Sequence, residues 1–206
     1  MNQLIFDLDG TLIDSADSIR GALAESCKIN NIEPLMPISE LAIGPPLDEM
    51  LKSILPGNLS YRHNLLKKSF VELYDQEFCM QGFLYPGVMN ALVQASANAN
   101  LFLVTNKRIS PTVKILRHQN ILQLFKGVIG CDSVDCSGFS KSKSIAHLIR
   151  EHGLSKADCT YFGDTEGDAI ACDEVGIDFI YIPWGYGDIS TKPNLSSFSG
   201  SFEPKQ

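Results

Sequence analysis

No apolar run in this chain approaches the roughly 20 residues needed to span a bilayer, so no membrane partner is expected. Positive charge is the scarcer sign. There are 17 Lys and Arg against 24 Asp and Glu, for a formal charge of −7, and the basic residues form no block. A surface that tracks the phosphate backbone of nucleic acid is therefore not expected. Cysteine is sparse and dispersed, at Cys27, Cys79, Cys131, Cys136, Cys159 and Cys172. None of these forms a Cys-x-x-Cys pair, and no Cys/His spacing matches a zinc site. No basic stretch followed by a cleavable apolar segment precedes the first acidic residues. A cytoplasmic chain with reduced thiols is the expectation. Internal repeats are lacking, and nothing in the sequence sets an oligomeric state. What is abundant is apolar residues, 44% of 206, enough for a sizeable core and too many for wholesale disorder.

The most informative stretch is Phe6-Asp7-Leu8-Asp9-Gly10-Thr11-Leu12. Leu4, Ile5, Phe6 and Leu8 have the apolar continuity of a buried strand. Asp7 and Asp9 end that strand, and carboxylates at i and i+2 point the same way from an extended chain. Desolvation and mutual repulsion disfavour such a pair unless a cation compensates them. A hard dication with oxygen ligands, Mg²⁺ or Ca²⁺, is the natural remedy. Short motifs of this kind also occur as plain acidic turns.

From residue 15 to about 82 the pattern is helical throughout. One helix carries Ile19, Ala22, Leu23 and Cys27, with Ser15 or Asp14 as its cap. A short helix is expected around Ile38, Leu41 and Ala42, and another over 47–55. A long amphipathic helix is expected from Tyr61 to about Met80, with Leu65, Leu66, Phe70, Leu73 and Tyr74 on one stripe. Beyond Pro86-Gly87 strands alternate with helices. The expected strands are Leu101–Thr105, Gly127–Cys131, Cys159–Phe162 and Asp178–Ile182. The fold expected is α/β, a doubly wound, parallel, five-stranded Rossmann-like sheet with an all-helical insert. Residues 1–14 and 83–206 would form the α/β core, irregular from about 191, and 15–82 the helical cap. An insert joined beside Asp7 and Asp9 could close over a ligand there.

Open α/β sheets bind ligands beyond the carboxyl ends of their strands. Polar residues cluster at those positions: Asp7 and Asp9; Thr105-Asn106; Ser140-Lys141-Ser142-Lys143; and Gly163-Asp164-Thr165-Glu166-Gly167-Asp168. Singly, each could be a turn, a cap or a solvated side chain. Together they have the composition of a phosphate-and-metal site.

With these four groups in order, the chain resembles the haloacid dehalogenase superfamily of hydrolases, in its phosphoglycolate-phosphatase-like group. The resemblance runs over nearly the whole chain and includes Tyr85-Pro86-Gly87 at the return from the insert. The third motif departs from the Lys-Pro-x-Pro common in that group and reads Lys141-Ser142-Lys143-Ser144. Register selects Lys141, with Lys143 as the alternative. The resemblance implies Asp7 as nucleophile, Asp9 as general acid and base, and Lys141 as catalytic cation. It implies phosphate binding by Thr105, Asn106 and Lys141. Mg²⁺ would be held by Asp7, the Asp9 carbonyl and Asp164, with Asp168 in support. The substrate would be a small phosphorylated metabolite. A phosphomutase or inorganic pyrophosphatase on the same scaffold, or a non-catalytic binding protein, are the alternatives. The Gly44-Pro45-Pro46-Leu47-Asp48 loop lacks the arginine usual in the family's sugar phosphomutases. Trp184-Gly185-Tyr186-Gly187 is expected to pack rather than to act.

Overall fold

The computed structural model describes residues 2–133 and 140–187. The tail expected to be irregular from about 191 and Cys136 lie outside them. The chain divides into two compact units, residues 1–14 with 83–206, and residues 15–82.

The first unit is built on strand β1 (Gln3–Phe6). The chain then forms β2 (Ile13–Asp14), leaves for the second unit, and returns through β3 (Phe83–Leu84). Helix α4 (Val88–Ser96), β4 (Asn100–Val104), α5 (Ile109–His118) and β5 (Phe125–Ile129) follow. Then come α6 (Lys141–Glu151), β6 (Cys159–Gly163), α7 (Glu166–Val175) and β7 (Asp178–Tyr181). The main sheet is parallel, with strand order β5-β4-β1-β6-β7. The chain winds outward from β1 in both directions, so the switch in strand order lies at β1, where a crevice opens at the carboxyl ends.

These strands form because their residues are buried on both faces. Ile5, Phe102, Val104, Ile129 and Tyr161 pack against Ile145, Leu148 and Ile149 of α6 and Ala171, Cys172 and Val175 of α7. Alternation sends Phe6 and Phe162 to the opposite face, where their rings stack with centroids 4.9 Å apart. Helix α7 starts with a reciprocal capping box between Thr165 and Asp168 and stops at Gly176, whose φ of 76° is left-handed.

The four later strands lie within two residues of their expected bounds. Three elements were not expected. The two-residue strands β2 and β3 pair antiparallel at the points where the chain leaves and rejoins the first unit. Helix α4 is also a finding of the structure.

The second unit contains helices α1 (Ala16–Ile29), α2 (Leu47–Ile54) and α3 (His63–Leu73). The long helix expected from Tyr61 begins at His63 after a 3₁₀ segment over Gly57–Arg62 and widens into a π-helical turn over Tyr74–Phe78. Leu66, Phe70 and Tyr74 are buried as expected, whereas Leu65 is exposed. Leu65 adjoins Leu66 in sequence and so lies about 100° away around the helix. At Ile38–Glu40 there is a single 3₁₀ turn, followed by a buried Leu41 and an exposed Ala42.

Candidate active site

Each strand facing the crevice places a polar residue just past its last apolar one. Asp7 follows β1, and its amide donates to Phe162 O at 2.9 Å, so the sheet ladder itself fixes the residue. Thr105 follows β4 in the same way, its amide donating to Ile129 O at 3.0 Å. Asp164 follows β6. After Asp7 the chain turns sharply. The amides of Thr11, Leu12 and Ile13 all converge on Leu8 O, and Gly10 takes a φ of 79° that a side chain would strain. This turn brings Thr11 Oγ1 to Asp164 Oδ1, to which it donates at 3.2 Å.

Lys141 opens α6 and its ammonium is buried between two carboxylates. It pairs closely with Asp168 Oδ1 and lies 3.3 Å from Asp7 Oδ1. A cation at a helix N-terminus opposes the helix dipole, so the carboxylates supply the compensation. Lys143 is exposed on the same helix. The structure thus brings Lys141 into the cluster and leaves Lys143 outside it.

The charge balance explains the protonation behaviour. Burial, foremost, pushes the Asp7 carboxyl up to about 7; Lys141 opposes this, while Asp168, Asp164 and Asp9 reinforce it. Asp164 is pushed up to about 6, again by burial first, against the Tyr186 amide that favours its charged form. Burial alone would lower Lys141, but Asp168 and Asp7 outweigh it and the net shift is upward. Lys141 is shared by Asp7 and Asp168 and is engaged most closely by Asp168. Asp7 is therefore undercompensated.

Asp7, Asp164 and Asp168 each offer a carboxylate oxygen within 4.8 Å of the others, a set suited to a hard dication. Asp7 Oδ1 is buried and meets the Lys141 ammonium at 3.3 Å as an ion pair rather than a well-aligned hydrogen bond, which leaves it room for a cation. Asp168 is committed elsewhere. Its Oδ2 accepts from the Thr165 amide at 3.0 Å and the Thr165 hydroxyl at 2.7 Å, and its Oδ1 faces Lys141. Asp7 and Asp164 are thus the better-placed donors, and the residues present fit a divalent cation. The site is also shaped around Asp164: a Cβ on Gly10 or on Gly185 would collide with that carboxylate.

The sequence from Leu4 to Ile182 matches the family profile described as haloacid dehalogenase-like hydrolase. The chain belongs to the haloacid dehalogenase-like hydrolase family. It is 30% identical over 192 residues to the tyrosine-protein kinase PtkA of Mycobacterium tuberculosis, covering 89% of this chain but only 62% of PtkA. It is 28% identical over 193 residues to a phosphoglycolate phosphatase of Cereibacter sphaeroides, covering 90% of this chain and 87% of that protein. The fold matches that of the haloacid dehalogenase-like family protein SP0104 of Streptococcus pneumoniae, with a TM-score of 0.82 at 24% identity, over 92% of this chain and 88% of that one.

In this member of the family the structure adds residues that sequence reasoning did not assign. Lys107 Nζ lies 3.0 Å from Asp9 Oδ2, and both side chains are largely buried. The Tyr186 amide donates to Asp164 Oδ2 at 2.7 Å, and the Trp184 indole donates to Thr11 O at 3.2 Å. The loop expected only to pack therefore supports the Asp164 carboxylate directly. Tyr186 also donates its hydroxyl to Asp14 Oδ1 at 3.0 Å. The one available signal was the position of Lys107 and of residues 184–187 just past strand ends. Asn106 Oδ1 is buried with no hydrogen-bond partner among the described residues, an acceptor facing no donor.

Proposed function

We propose that this hydrolase is a Mg²⁺-dependent phosphatase that cleaves a small phosphorylated metabolite through an aspartyl-phosphate on Asp7. The observation that carries the reading is the Asp7 carboxylate itself. It is buried, its Oδ1 faces the Lys141 ammonium at 3.3 Å, and it stands at the switch point of the sheet. Its resemblance to phosphoglycolate phosphatases over most of both chains supports the same reaction class.

The roles follow from chemistry and place. Asp7 attacks phosphorus, and the phosphoryl group passes from the ester oxygen to its carboxylate. Asp9, two residues on, gives a proton to the departing oxygen and later takes one from the attacking water. Lys141, the Thr105 hydroxyl and the Asn106 backbone meet the charge on the phosphoryl oxygens. Asp168, held by Thr165, orients Lys141. Mg²⁺, bound by Asp7, the Asp9 carbonyl and Asp164, would neutralise phosphoryl charge and offset the repulsion between the carboxylates. Residues 15–82 serve as the cap, inserted between β2 and β3. We place the protein in the cytoplasm; no helix among the described residues is long and apolar enough to cross a membrane.

The kinship with PtkA suggests a second reading, phosphoryl transfer from ATP to tyrosine, although this chain spans 62% of that protein's length. One experiment separates the two. Phosphate release from a panel of small phosphate esters is measured with Mg²⁺ and with excess chelator, beside transfer from ATP to a tyrosine peptide. Mg²⁺-dependent release from an ester is the expected result. Peptide labelling without ester hydrolysis would overturn the phosphatase reading.

A further inference from the structure

Lys107 has no part in the roles assigned above, yet the fold fixes it firmly. Its carbonyl accepts from the Cys131 amide at 3.0 Å, and its amide donates to Thr105 Oγ1 at 3.3 Å. The next turn is tied by the Ile109 amide donating to Asp132 Oδ1 at 2.7 Å. Gly130 packs so tightly beneath that a Cβ there would sit 2.8 Å from Lys107 O. The side chain is 8% exposed, and its ammonium is directed at Asp9 Oδ2, 3.0 Å away. Lysine is seldom buried to this degree without a partner that needs it.

The cluster thus has two ammonium groups with different neighbours. Lys141 faces Asp7 and Asp168, where the phosphoryl group is received. Lys107 faces Asp9, where the alcohol departs. Resting on the phosphatase reading, we infer that Lys107 is a positioning residue of the leaving-group side, aiming the Asp9 carboxyl and offsetting the negative charge that arrives there as the ester bond breaks.

In that step the phosphorus–oxygen bond breaks and its electron pair stays on the ester oxygen. Asp9 transfers its proton to that oxygen, the alcohol departs, and the phosphoryl group is bonded to Asp7. Asp9 is left as a carboxylate 3.0 Å from the Lys107 ammonium, so a charge that forms in the transition state meets a fixed opposite charge. In the second step water returns a proton to Asp9 as its oxygen bonds to phosphorus and the Asp7–phosphorus bond breaks. The benefit is greatest when the departing oxygen is most basic, because proton transfer is then most advanced.

The test is the leaving-group dependence of kcat/KM for p-nitrophenyl phosphate and phenyl phosphate in Mg²⁺, which reports the first chemical step for two esters of similar shape. Lys107→Met should lose about 10²-fold on phenyl phosphate, and at least ~10-fold less than that on p-nitrophenyl phosphate. Lys107→Arg, which keeps the charge, should restore most of the difference. Lys107→Gln keeps a hydrogen-bond donor without charge and should fail as Met does; it also carries the comparison if the Met variant does not fold. Equal losses on both esters, or none, would overturn the inference and leave the phosphatase reading standing. A wild-type protein that hydrolyses neither ester would remove the phosphatase reading, and this inference with it.

Discussion

Burial makes each charge in the cluster consequential. Lys141 and Lys143 share one helix, yet one ammonium is enclosed by carboxylates and the other is exposed. Lys141→Ala should cost about 10²–10³ in kcat, the range for loss of an electrostatic stabiliser in a dry site. Lys143→Ala should change kcat by less than about twofold, as for other exposed positions. Steady-state kinetics of the two variants side by side settles the assignment, and a crippled Lys143 variant would shift the third motif by two residues. In the sequence, register alone favours Lys141, and Lys143 stays an alternative because both lysines stand at the start of the same helix. What separates them is the carboxylates each one meets, and those come from distant parts of the chain. The same holds for Lys107 and Asp9, 98 positions apart, and for the Tyr186 amide on Asp164. No local pattern records such contacts.

At the scale of elements, the strand ends were legible and the supporting loops were not. Buried parallel strands write themselves as continuous apolar runs, so Leu101–Val104 and Cys159–Phe162 declare themselves. The polar residue that ends each run is conspicuous for the same reason. The pair β2 and β3 has only two residues a side, too short for any periodicity. The π-helical turn at Tyr74–Phe78 is invisible because it keeps a helix-like apolar spacing. The loop at 184–187 carries its function in its backbone. Gly185 abuts the Asp164 carboxylate while the next amide donates to it. Gly185→Ala should therefore displace Asp164, weaken Mg²⁺ binding by about tenfold or more and lower activity in step. Gly167, on α7, has only Thr165 Oγ1 near its Cβ position, at 3.6 Å. Gly167→Ala should keep activity and raise stability by up to about 1 kcal/mol, as expected inside a helix. Mg²⁺ titrations of activity and thermal melts of both variants check the pair. An unaffected Gly185→Ala enzyme would remove that loop from the site.

At the scale of the whole molecule, the carboxylate cluster links stability to pH and metal. Asp7 and Asp164 titrate above the usual 3.8, at about 7 and about 6, chiefly through burial. Folding therefore favours their neutral forms. Their contribution is fully present below about pH 4 and is lost as pH rises through 6 to 7. In chelator, Tm should fall between pH 5 and pH 8. A dication binds the ionised forms, so the gain in Tm from Mg²⁺ should be larger at pH 8 than at pH 5. At a hundredfold excess over Kd, binding adds about 2.7 kcal/mol, or about 5–10 °C for a chain of this length. Melting curves at both pH values, with and without Mg²⁺, test this. A gain independent of pH would mean that the cation binds elsewhere.

The central claim is covalent transfer of the phosphoryl group to Asp7, and it is tested most directly by trapping that species. Wild-type protein is mixed with a phosphate ester and Mg²⁺, quenched in acid within a turnover, digested and analysed by mass spectrometry. The account predicts a phosphorylated peptide with the group on Asp7, absent in chelator and absent from Asp7→Asn, which should fold normally and turn over nothing. Phosphate release by the Asp7→Asn protein at the wild-type rate, or a label on any other residue, would contradict it.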